Sequence, residues 1–257
     1  MGIFDGVLLC SDWDGTLFWN GDVNERNISA IRHFTEEGGK FAITSGRAYP
    51  FLENYSTLVK SNTYSITLNG AWIIDIDNKE TLYAGFLDSY VTDIIDKITE
   101  FTDDFESITI YYKDEADKVT IDFKDYEKER ERIKSNLIYK ILLVSKNEST
   151  VLKTKNMLQS FDTKDYVIAR SWAFSLEILK EENAKGAAVR RLKEALGSKL
   201  LVCVGDFEND ILMLQAADIS YATENGIDEV KRVASRTTVH ARDGAIAKII
   251  EDLEQEL

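Results

Sequence analysis

The stretch that decides the fold is Val7-Leu8-Leu9-Cys10-Ser11-Asp12-Trp13-Asp14-Gly15-Thr16-Leu17, in which an apolar run leads directly into two carboxylates and a glycine. A short continuous apolar run is typical of a strand that is buried on both faces of a sheet. Further runs of this kind are Phe41-Ala42-Ile43, Ser65-Ile66-Thr67-Leu68 and Leu200 to Val204. The segments between them carry apolar residues at helical spacing, which predicts parallel strands joined by helical crossovers.

The pattern changes in the middle of the chain. Ile108 to Tyr112 and Val119 to Phe123 alternate in the strand manner around the polar turn Asp114-Glu115-Ala116-Asp117, which predicts a β-hairpin. We therefore predict an α/β fold with a Rossmann-like doubly wound parallel sheet as its core, formed by residues 1–79 and 178–257. Residues 80–177 are predicted to form an inserted mixed α/β domain.

Composition and charge exclude several classes of protein. The 257 residues include 31 Lys and Arg against 45 Asp and Glu, a net charge of −14, whereas a nucleic-acid binder or an anionic-membrane binder presents a basic face. No apolar stretch approaches the roughly 20 residues that a membrane span needs. The two cysteines, Cys10 and Cys203, cannot form a disulfide framework, and the first residues lack a signal-peptide pattern. We expect a cytoplasmic protein.

Four polar clusters lie at or near the predicted strand ends. They are Asp12-Trp13-Asp14-Gly15-Thr16-Leu17, Thr44-Ser45-Gly46-Arg47, Lys185-Gly186 and Gly205-Asp206-Phe207-Glu208-Asn209-Asp210. In open parallel sheets, binding sites form outside the carboxyl ends of the strands. The sequence therefore predicts one site to which all four clusters contribute.

The charge of such a site calls for a cation. Asp12, Asp14, Asp206 and Asp210 would bring four carboxylates together, and two of them 4 Å apart repel by about 4 kcal/mol at an effective dielectric constant near 20. Mg²⁺ prefers oxygen ligands of this type, and Lys185 adds one further positive charge. We predict a magnesium site at these four carboxylates that can hold a phosphoryl group.

The same residues can carry out phosphoryl transfer. Asp12 follows the strand directly and can attack phosphorus to form an aspartyl-phosphate. Asp14 can protonate the leaving oxygen and then deprotonate the attacking water. Ser45 and Lys185 can stabilise the phosphoryl oxygens, while Gly15 permits a sharp turn whose backbone N–H groups face the phosphate.

The four clusters, together with Asn69-Gly70, resemble in type and order the motifs of the haloacid dehalogenase superfamily, and within it the Cof-type subclass IIB phosphatases. The resemblance extends over essentially the whole chain and implies that the insertion is a cap domain of the C2B type. It implies that Asp12, the Asp14 carbonyl and Asp206 bind Mg²⁺ with support from Asp210. Lys185 is taken as the motif lysine rather than Lys180, because Gly186 and a helix follow it. The resemblance also implies that Ser45, Lys185 and Asn209 hold the phosphate, and we expect Gly15 and Gly46 to bind it with them.

We therefore expect a Mg²⁺-dependent phosphatase that acts on a small soluble phosphomonoester. The resemblance makes sugar phosphates the first candidate substrates. We expect the protein to be a monomer or weak dimer. A phosphomutase or phosphotransferase would need the same residues. A signalling module phosphorylated on aspartate is a further alternative, although it would not need a large insertion. Candidates in the insertion for contact with the leaving group are Tyr111, Tyr112, Lys113, Arg170 and Trp172.

Overall fold

The computed structural model describes residues 2–113, 118–163 and 165–257. It divides into two compact units, Met1–Tyr83 with Lys185–Leu257 and, between them in sequence, Ala84–Ala184. The division expected from the sequence, at residues 80 and 177, falls inside the strands Glu80–Ala84 and Ser175–Lys180. The expected turn Asp114-Glu115-Ala116-Asp117 lies outside the described residues.

Strands and helices alternate through most of the described chain. The strands are β1 (Val7–Asp12), β2 (Phe18–Trp19), β3 (Asp22–Val23), β4 (Lys40–Thr44), β5 (Ser65–Thr67), β6 (Trp72–Asp75), β7 (Glu80–Ala84), β8 (Phe105–Tyr112), β9 (Val119–Asp122), β10 (Ile138–Ser145), β11 (Tyr166–Ala169), β12 (Ser175–Lys180), β13 (Leu200–Gly205), β14 (Ile219–Ala222) and β15 (Arg236–Thr237). The helices are α1 (Glu25–Glu36), α2 (Tyr49–Glu53), α3 (Val91–Phe101), α4 (Tyr126–Ser135), α5 (Glu148–Leu158), α6 (Lys185–Leu196), α7 (Ile211–Ala216), α8 (Asp228–Val233) and α9 (Ala245–Glu256).

The first unit is built on one sheet with the strand order β15-β14-β13-β1-β4-β5-β6-β7. The central strand β1 pairs in parallel with both β13 and β4, and parallel pairing continues through β14 to β15 and from β4 to β5. β6 returns antiparallel to β5. Since parallel strands end at the same edge of a sheet, the residues that follow β1, β4 and β13 lie along one edge.

Helices cover both faces of this sheet. Leu9 and its same-face neighbours on β4 and β13 pack with residues of α1 and α9, whereas Leu8 and Cys10 pack with residues of α6 and α7. Adjacent residues of a strand point to opposite faces, so a strand buried on both sides is apolar along most of its length. The predicted doubly wound α/β core is confirmed.

A small hairpin after β1 was not predicted. β2 and β3 pair antiparallel, with Trp19 opposite Asp22, so Asn20 and Gly21 alone form the connection. Both connecting residues have positive φ, 49° and 95°. Asn-Gly is the preferred dipeptide for a two-residue hairpin turn, and this signal was available in the sequence.

The second unit has an antiparallel sheet with the strand order β11-β12-β10-β8-β9. Ile110, Ile141 and Ile178 are neighbours across three of these strands and belong to an apolar core with residues of α3, α4 and α5. Helices therefore pack on one face of the sheet.

Across residues 2–113, 118–163 and 165–257, the helices are too short or too polar to span a membrane.

The other face of this second sheet carries a buried ion pair. Lys140 on β10 and Glu177 on β12 are 1% and 2% exposed, and the Lys140 Nζ lies 2.7 Å from Glu177 Oε2. Ser171 Oγ donates to the other carboxylate oxygen, Glu177 Oε1, at 2.7 Å. The Lys140 Nζ lies over the Tyr111 ring, 5.0 Å from the ring centroid. Tyr112, in contrast, points into the apolar core.

Breaking this pair should destabilise the protein strongly. Lys140→Met leaves the Glu177 carboxylate buried without the ammonium group, and we expect the free energy of unfolding to fall by about 3–5 kcal/mol. Lys140→Met with Glu177→Gln removes both charges and should recover at least half of that loss. Urea denaturation followed by circular dichroism measures both changes.

The matched control is Lys146→Met, because Lys146 also pairs with a glutamate, Glu106 at 2.8 Å, but has a side chain 77% exposed. Exposed pairs contribute about 0–1 kcal/mol, so this variant should remain near wild type. Equal losses in Lys140→Met and Lys146→Met would contradict the argument from burial.

Candidate active site

The predicted site residues meet at the carboxyl edge of the first sheet. Asp12 is the last residue of β1 and lies opposite Thr44, the last residue of β4, in the parallel register. Ser45 follows directly after Thr44. On the other side of β1, β13 ends at Gly205, and Asp206 comes next. The strand register thus places two carboxylates and a hydroxyl along one line.

Lys185 connects two carboxylates in the buried centre of the site. Its Nζ lies 2.5 Å from Asp12 Oδ1 and 2.6 Å from Asp210 Oδ1, and all three side chains are at least 93% buried. Lys185 is the first residue of α6 and is followed by Gly186, where a Cβ would come within 2.4 Å of the Leu212 carbonyl oxygen of α7. The glycine therefore lets the two helices approach closely enough to bring the lysine to the carboxylates.

Three carboxylates, those of Asp12, Asp206 and Asp210, have oxygens within 4.8 Å of one another. Burial, reinforced by Asp210, raises the pKa of Asp12 well above its usual range against the opposing effect of Lys185. Burial, again reinforced by Asp210, raises the pKa of Asp206 to about 7. Burial would lower the pKa of Lys185, but Asp12 and Asp210 outweigh it and raise that pKa. One ammonium group thus faces three carboxylates, and the cluster has excess negative charge when all three are ionised.

Two glycines make room for these carboxylates. Gly15 has φ +85°, and a Cβ there would lie 2.4 Å from Asp206 Oδ2. A Cβ on Gly205 would lie 2.4 Å from Asp210 Cγ. Thr16 Oγ1 donates to Asp206 Oδ1 at 2.9 Å, and the backbone N–H groups of Asp206 and Phe207 donate to Asp210 Oδ2 at 2.9 and 3.2 Å. A hydroxyl group therefore holds the Asp206 carboxylate in place, and two backbone N–H groups hold that of Asp210.

Two of the residues expected to hold phosphate, Ser45 and Asn209, are linked by hydrogen bonds through Asn69. Asn209 Nδ2 donates to Asn69 Oδ1 at 3.1 Å, and the Asn69 N–H donates to the Ser45 carbonyl oxygen at 2.9 Å. A Cβ on Gly46 would lie only 3.2 Å from Asn69 Oδ1. Asn69 itself has φ +58°, a conformation that asparagine tolerates better than most residues. The structure thus brings Ser45, Gly46 and Asn209 together.

The carboxylate of Asp14 differs from the other three. It is nearly half exposed and accepts two hydrogen bonds from Arg47, one from Nε to Oδ2 at 3.0 Å and one from Nη2 to Oδ1 at 3.1 Å. Of the four carboxylates expected to cluster, the structure brings three together and pairs the fourth with an arginine. Lys180, the alternative motif lysine, pairs with Asp88 in the second unit at 2.6 Å.

Four residues contribute to the site without having been included among the predicted site residues, namely Thr16, Arg47, Asn69 and Asn225. Asn225 Nδ2 donates to the Gly15 carbonyl oxygen at 2.8 Å, and its Oδ1 accepts from the Ala241 N–H at 2.9 Å. Thr16, Arg47 and Asn69 lie inside motifs that the sequence analysis quoted. Asn225 follows β14 at the same sheet edge, which was the available signal for its role.

The chain is similar to known proteins in both sequence and fold. The chain is 28% identical to YxeH of Bacillus subtilis (strain 168) over 269 residues, covering 96% of this chain and 97% of that protein. It is 21% identical to 5-amino-6-(5-phospho-D-ribitylamino)uracil phosphatase YitU of the same organism, over 95% of this chain and 96% of that protein. Among solved structures, a haloacid dehalogenase-like hydrolase from B. subtilis has a TM-score of 0.79 at 20% identity, covering 95% of this chain and 98% of that one.

A second solved structure, the subclass IIB sugar phosphatase BT4131, has a TM-score of 0.75 at 19% identity, covering 95% of this chain and 98% of that one. The family model of the haloacid dehalogenase-like hydrolases matches residues 9–250, a range that contains every residue of the site described above. The resemblance noted in the sequence is confirmed: this chain belongs to the haloacid dehalogenase-like hydrolase family.

Proposed function

We propose that this protein is a Mg²⁺-dependent phosphatase that hydrolyses a small phosphomonoester through an aspartyl-phosphate on Asp12. The observation that carries the proposal is the contact of Lys185 with both Asp12 and Asp210 in a buried site with excess negative charge. A carboxylate in such a site becomes a useful nucleophile toward a phosphate dianion when cations balance the charge of both.

The donor set fits a divalent cation. Carboxylate oxygens are the ligands that Mg²⁺ prefers, and the oxygens of Asp12, Asp206 and Asp210 lie within 4.8 Å of one another. The space that a Cβ on Gly15 would fill belongs to the Asp206 carboxylate. Asp12 and Asp206 would hold the ion together with the Asp14 carbonyl, and Asp210 would support them. When bound, Mg²⁺ supplies positive charge that offsets the carboxylates and the phosphoryl oxygens.

The chain's own residues then carry two successive displacements at phosphorus. An Asp12 carboxylate oxygen forms a bond to phosphorus while the ester P–O bond breaks, and the leaving oxygen takes a proton from Asp14. In the second step Asp14 takes a proton from water, the water oxygen bonds to phosphorus, and the Asp12 O–P bond breaks. Inorganic phosphate leaves, and both aspartates return to their starting states. Lys185, Ser45, Asn209 and the N–H groups beside Gly15 and Gly46 hold the phosphoryl oxygens.

The proposed substrate class is sugar phosphates and related phosphorylated polyols. Two similar proteins support this choice, because one is named as a sugar phosphatase and the other as a phosphatase of a phosphoribitylamino compound. A panel of small phosphomonoesters tests the assignment, with both free phosphate and rearranged sugar phosphate measured. Isomerisation of a hexose phosphate without phosphate release would instead identify a phosphomutase.

Removal of the nucleophile or of the metal should abolish hydrolysis. We expect Asp12→Asn to lower kcat by at least about 10³-fold, because the amide cannot attack phosphorus. Chelation of Mg²⁺ by EDTA should have a comparable effect that added MgCl₂ reverses. Phosphate release from the best substrate of the panel measures both.

The control for this experiment is Asp77→Asn, since Asp77 is an exposed carboxylate of the same unit that pairs with Lys60 at 2.6 Å. Its activity should equal that of the wild type. Hydrolysis that survives chelation, or an Asp12→Asn variant as active as Asp77→Asn, would refute the proposed function.

A matched pair of glycine variants tests the cation site. Gly15→Ala and Gly21→Ala both place a side chain at positive φ, +85° and +95°, and in each variant this backbone strain alone should cost about 1 kcal/mol of stability. Only the new Cβ at position 15 meets the Asp206 carboxylate, since nothing lies within 4 Å of the one at position 21. We expect Gly15→Ala alone to weaken Mg²⁺ binding, by about tenfold or more, in calorimetric titration. Equal Mg²⁺ affinities for the two variants would contradict this cation site.

A further inference from the structure

Asp14 is a predicted catalytic carboxylate that lies outside the buried cluster. Arg47 holds it through two parallel hydrogen bonds. Nε and Nη2 of Arg47 donate to the two oxygens of Asp14, at 3.0 and 3.1 Å. Lysine cannot form this planar fork, so the arginine fixes the orientation of the carboxylate as well as attracting its charge. Both side chains are about half exposed, at 50% and 46%, so burial does little to hold either of them in place.

Arg47 is itself anchored at three points. Its backbone N–H donates to Ser45 Oγ at 3.0 Å, and its carbonyl oxygen accepts from the Leu68 N–H at 3.0 Å. Its guanidinium lies 4.6 Å from the ring centroid of Phe51, on α2. The loop after β4 therefore presents the guanidinium to Asp14 from a defined position.

Aromatic packing joins α2 to the loop that carries Asp14. The Tyr55 ring packs against Phe51 at 5.3 Å between centroids, and also against Trp13 at 5.4 Å and Phe18 at 5.1 Å. Trp13 and Phe18 stack on each other at 5.2 Å on either side of Asp14 in sequence. The arginine and the aspartate thus project from two segments that share one aromatic cluster.

We propose that Arg47 is a positioning residue, which selects the orientation from which Asp14 gives a proton to the leaving oxygen and takes one from water. This inference rests on the proposed function. Each carboxylate oxygen has about two acceptor directions, so an oxygen bonded to Arg47 keeps one direction for the proton that it transfers. Without the fork, a half-exposed aspartate samples several rotamers, and proton transfer depends on geometry within hydrogen-bond reach.

Arg47→Lys and Arg47→Met test the proposal with two substrates that differ in their need for an acid. An alkyl phosphate has a basic leaving oxygen that must be protonated, whereas p-nitrophenolate leaves without a proton. We expect both variants to lower kcat on the alkyl phosphate by about tenfold or more, with little change in KM. The burst of p-nitrophenolate in the first turnover reports the attack of Asp12 on phosphorus, and its rate should equal that of the wild type. Equal slowing with both substrates, or a change in KM alone, would overturn the positioning role.

A double-mutant cycle with Asp14→Asn separates this role from direct phosphate binding. If Arg47 acts through Asp14, Arg47→Lys should have no further effect on the alkyl phosphate once Asp14 is an asparagine. Independent losses that multiply in the double variant would show that Arg47 acts on the substrate, and would overturn the inference.

The matched control is Arg26→Lys, because Arg26 also pairs with a carboxylate on the surface of this unit, Glu251 at 3.1 Å, with a side chain 59% exposed. It should behave as wild type with both substrates. Crystal structures of wild type and Arg47→Lys give a readout that does not need activity. We expect one Asp14 rotamer in the wild type and several in the variant, and a single shared rotamer would refute the proposal. A wild type inactive on every phosphomonoester would refute the proposed function instead.

Discussion

The rest of this structure depends on three carboxylates, those of Asp12, Asp206 and Asp210, which are buried beside the ammonium group of Lys185. Isolated burial of a charge is expensive, so the fold must supply compensating groups at the right places. Lys185 contacts two of the carboxylates, Thr16 and backbone N–H groups hold the other oxygens, and glycines stand where a Cβ would collide with them. The remaining negative charge, when all three carboxylates are ionised, is the reason why we propose a cation at this edge of the sheet. The parallel sheet holds these groups in register, and most of them are buried.

The part of the site that could be predicted from sequence is the part that strand burial dictates. A strand covered on both faces is apolar along most of its length, so the polar residues at its end, such as Asp12 at the end of β1 and Ser45 directly after β4, mark the sheet edge where we propose that a ligand binds. Lys185 could be placed because Gly186 and a helical pattern follow it, and the structure shows the reason in the close approach to Leu212. Fold class and family were confirmed, while the roles of the individual side chains are still predictions for experiment.

The parts that could not be predicted depend on side-chain orientation or on contacts between distant loops. Asp12 and Asp14 look alike in sequence, yet one lies in the buried cluster and the other pairs with Arg47. Their different surroundings arise where β1 ends, and residue type alone does not reveal them. Tyr111 and Tyr112 present the same problem in the second unit, since neighbours on a strand face opposite ways and only the register decides which one packs in the core. Asn225 contacts Gly15 across 210 positions of sequence, and no local pattern could have paired them.

The place of Lys185 in the chain has a consequence for how such proteins diversify. It is the first residue of the core unit after the insertion ends at Ala184, and its contacts with Asp12 and Asp210 both lie within that unit. The close packing at Gly186 anchors the start of α6 from the core side. Insertions of other lengths and sequences could therefore be exchanged over evolutionary time without moving the lysine from its carboxylates. The contacts of the lysine would then stay the same while the sequence of the insertion changed.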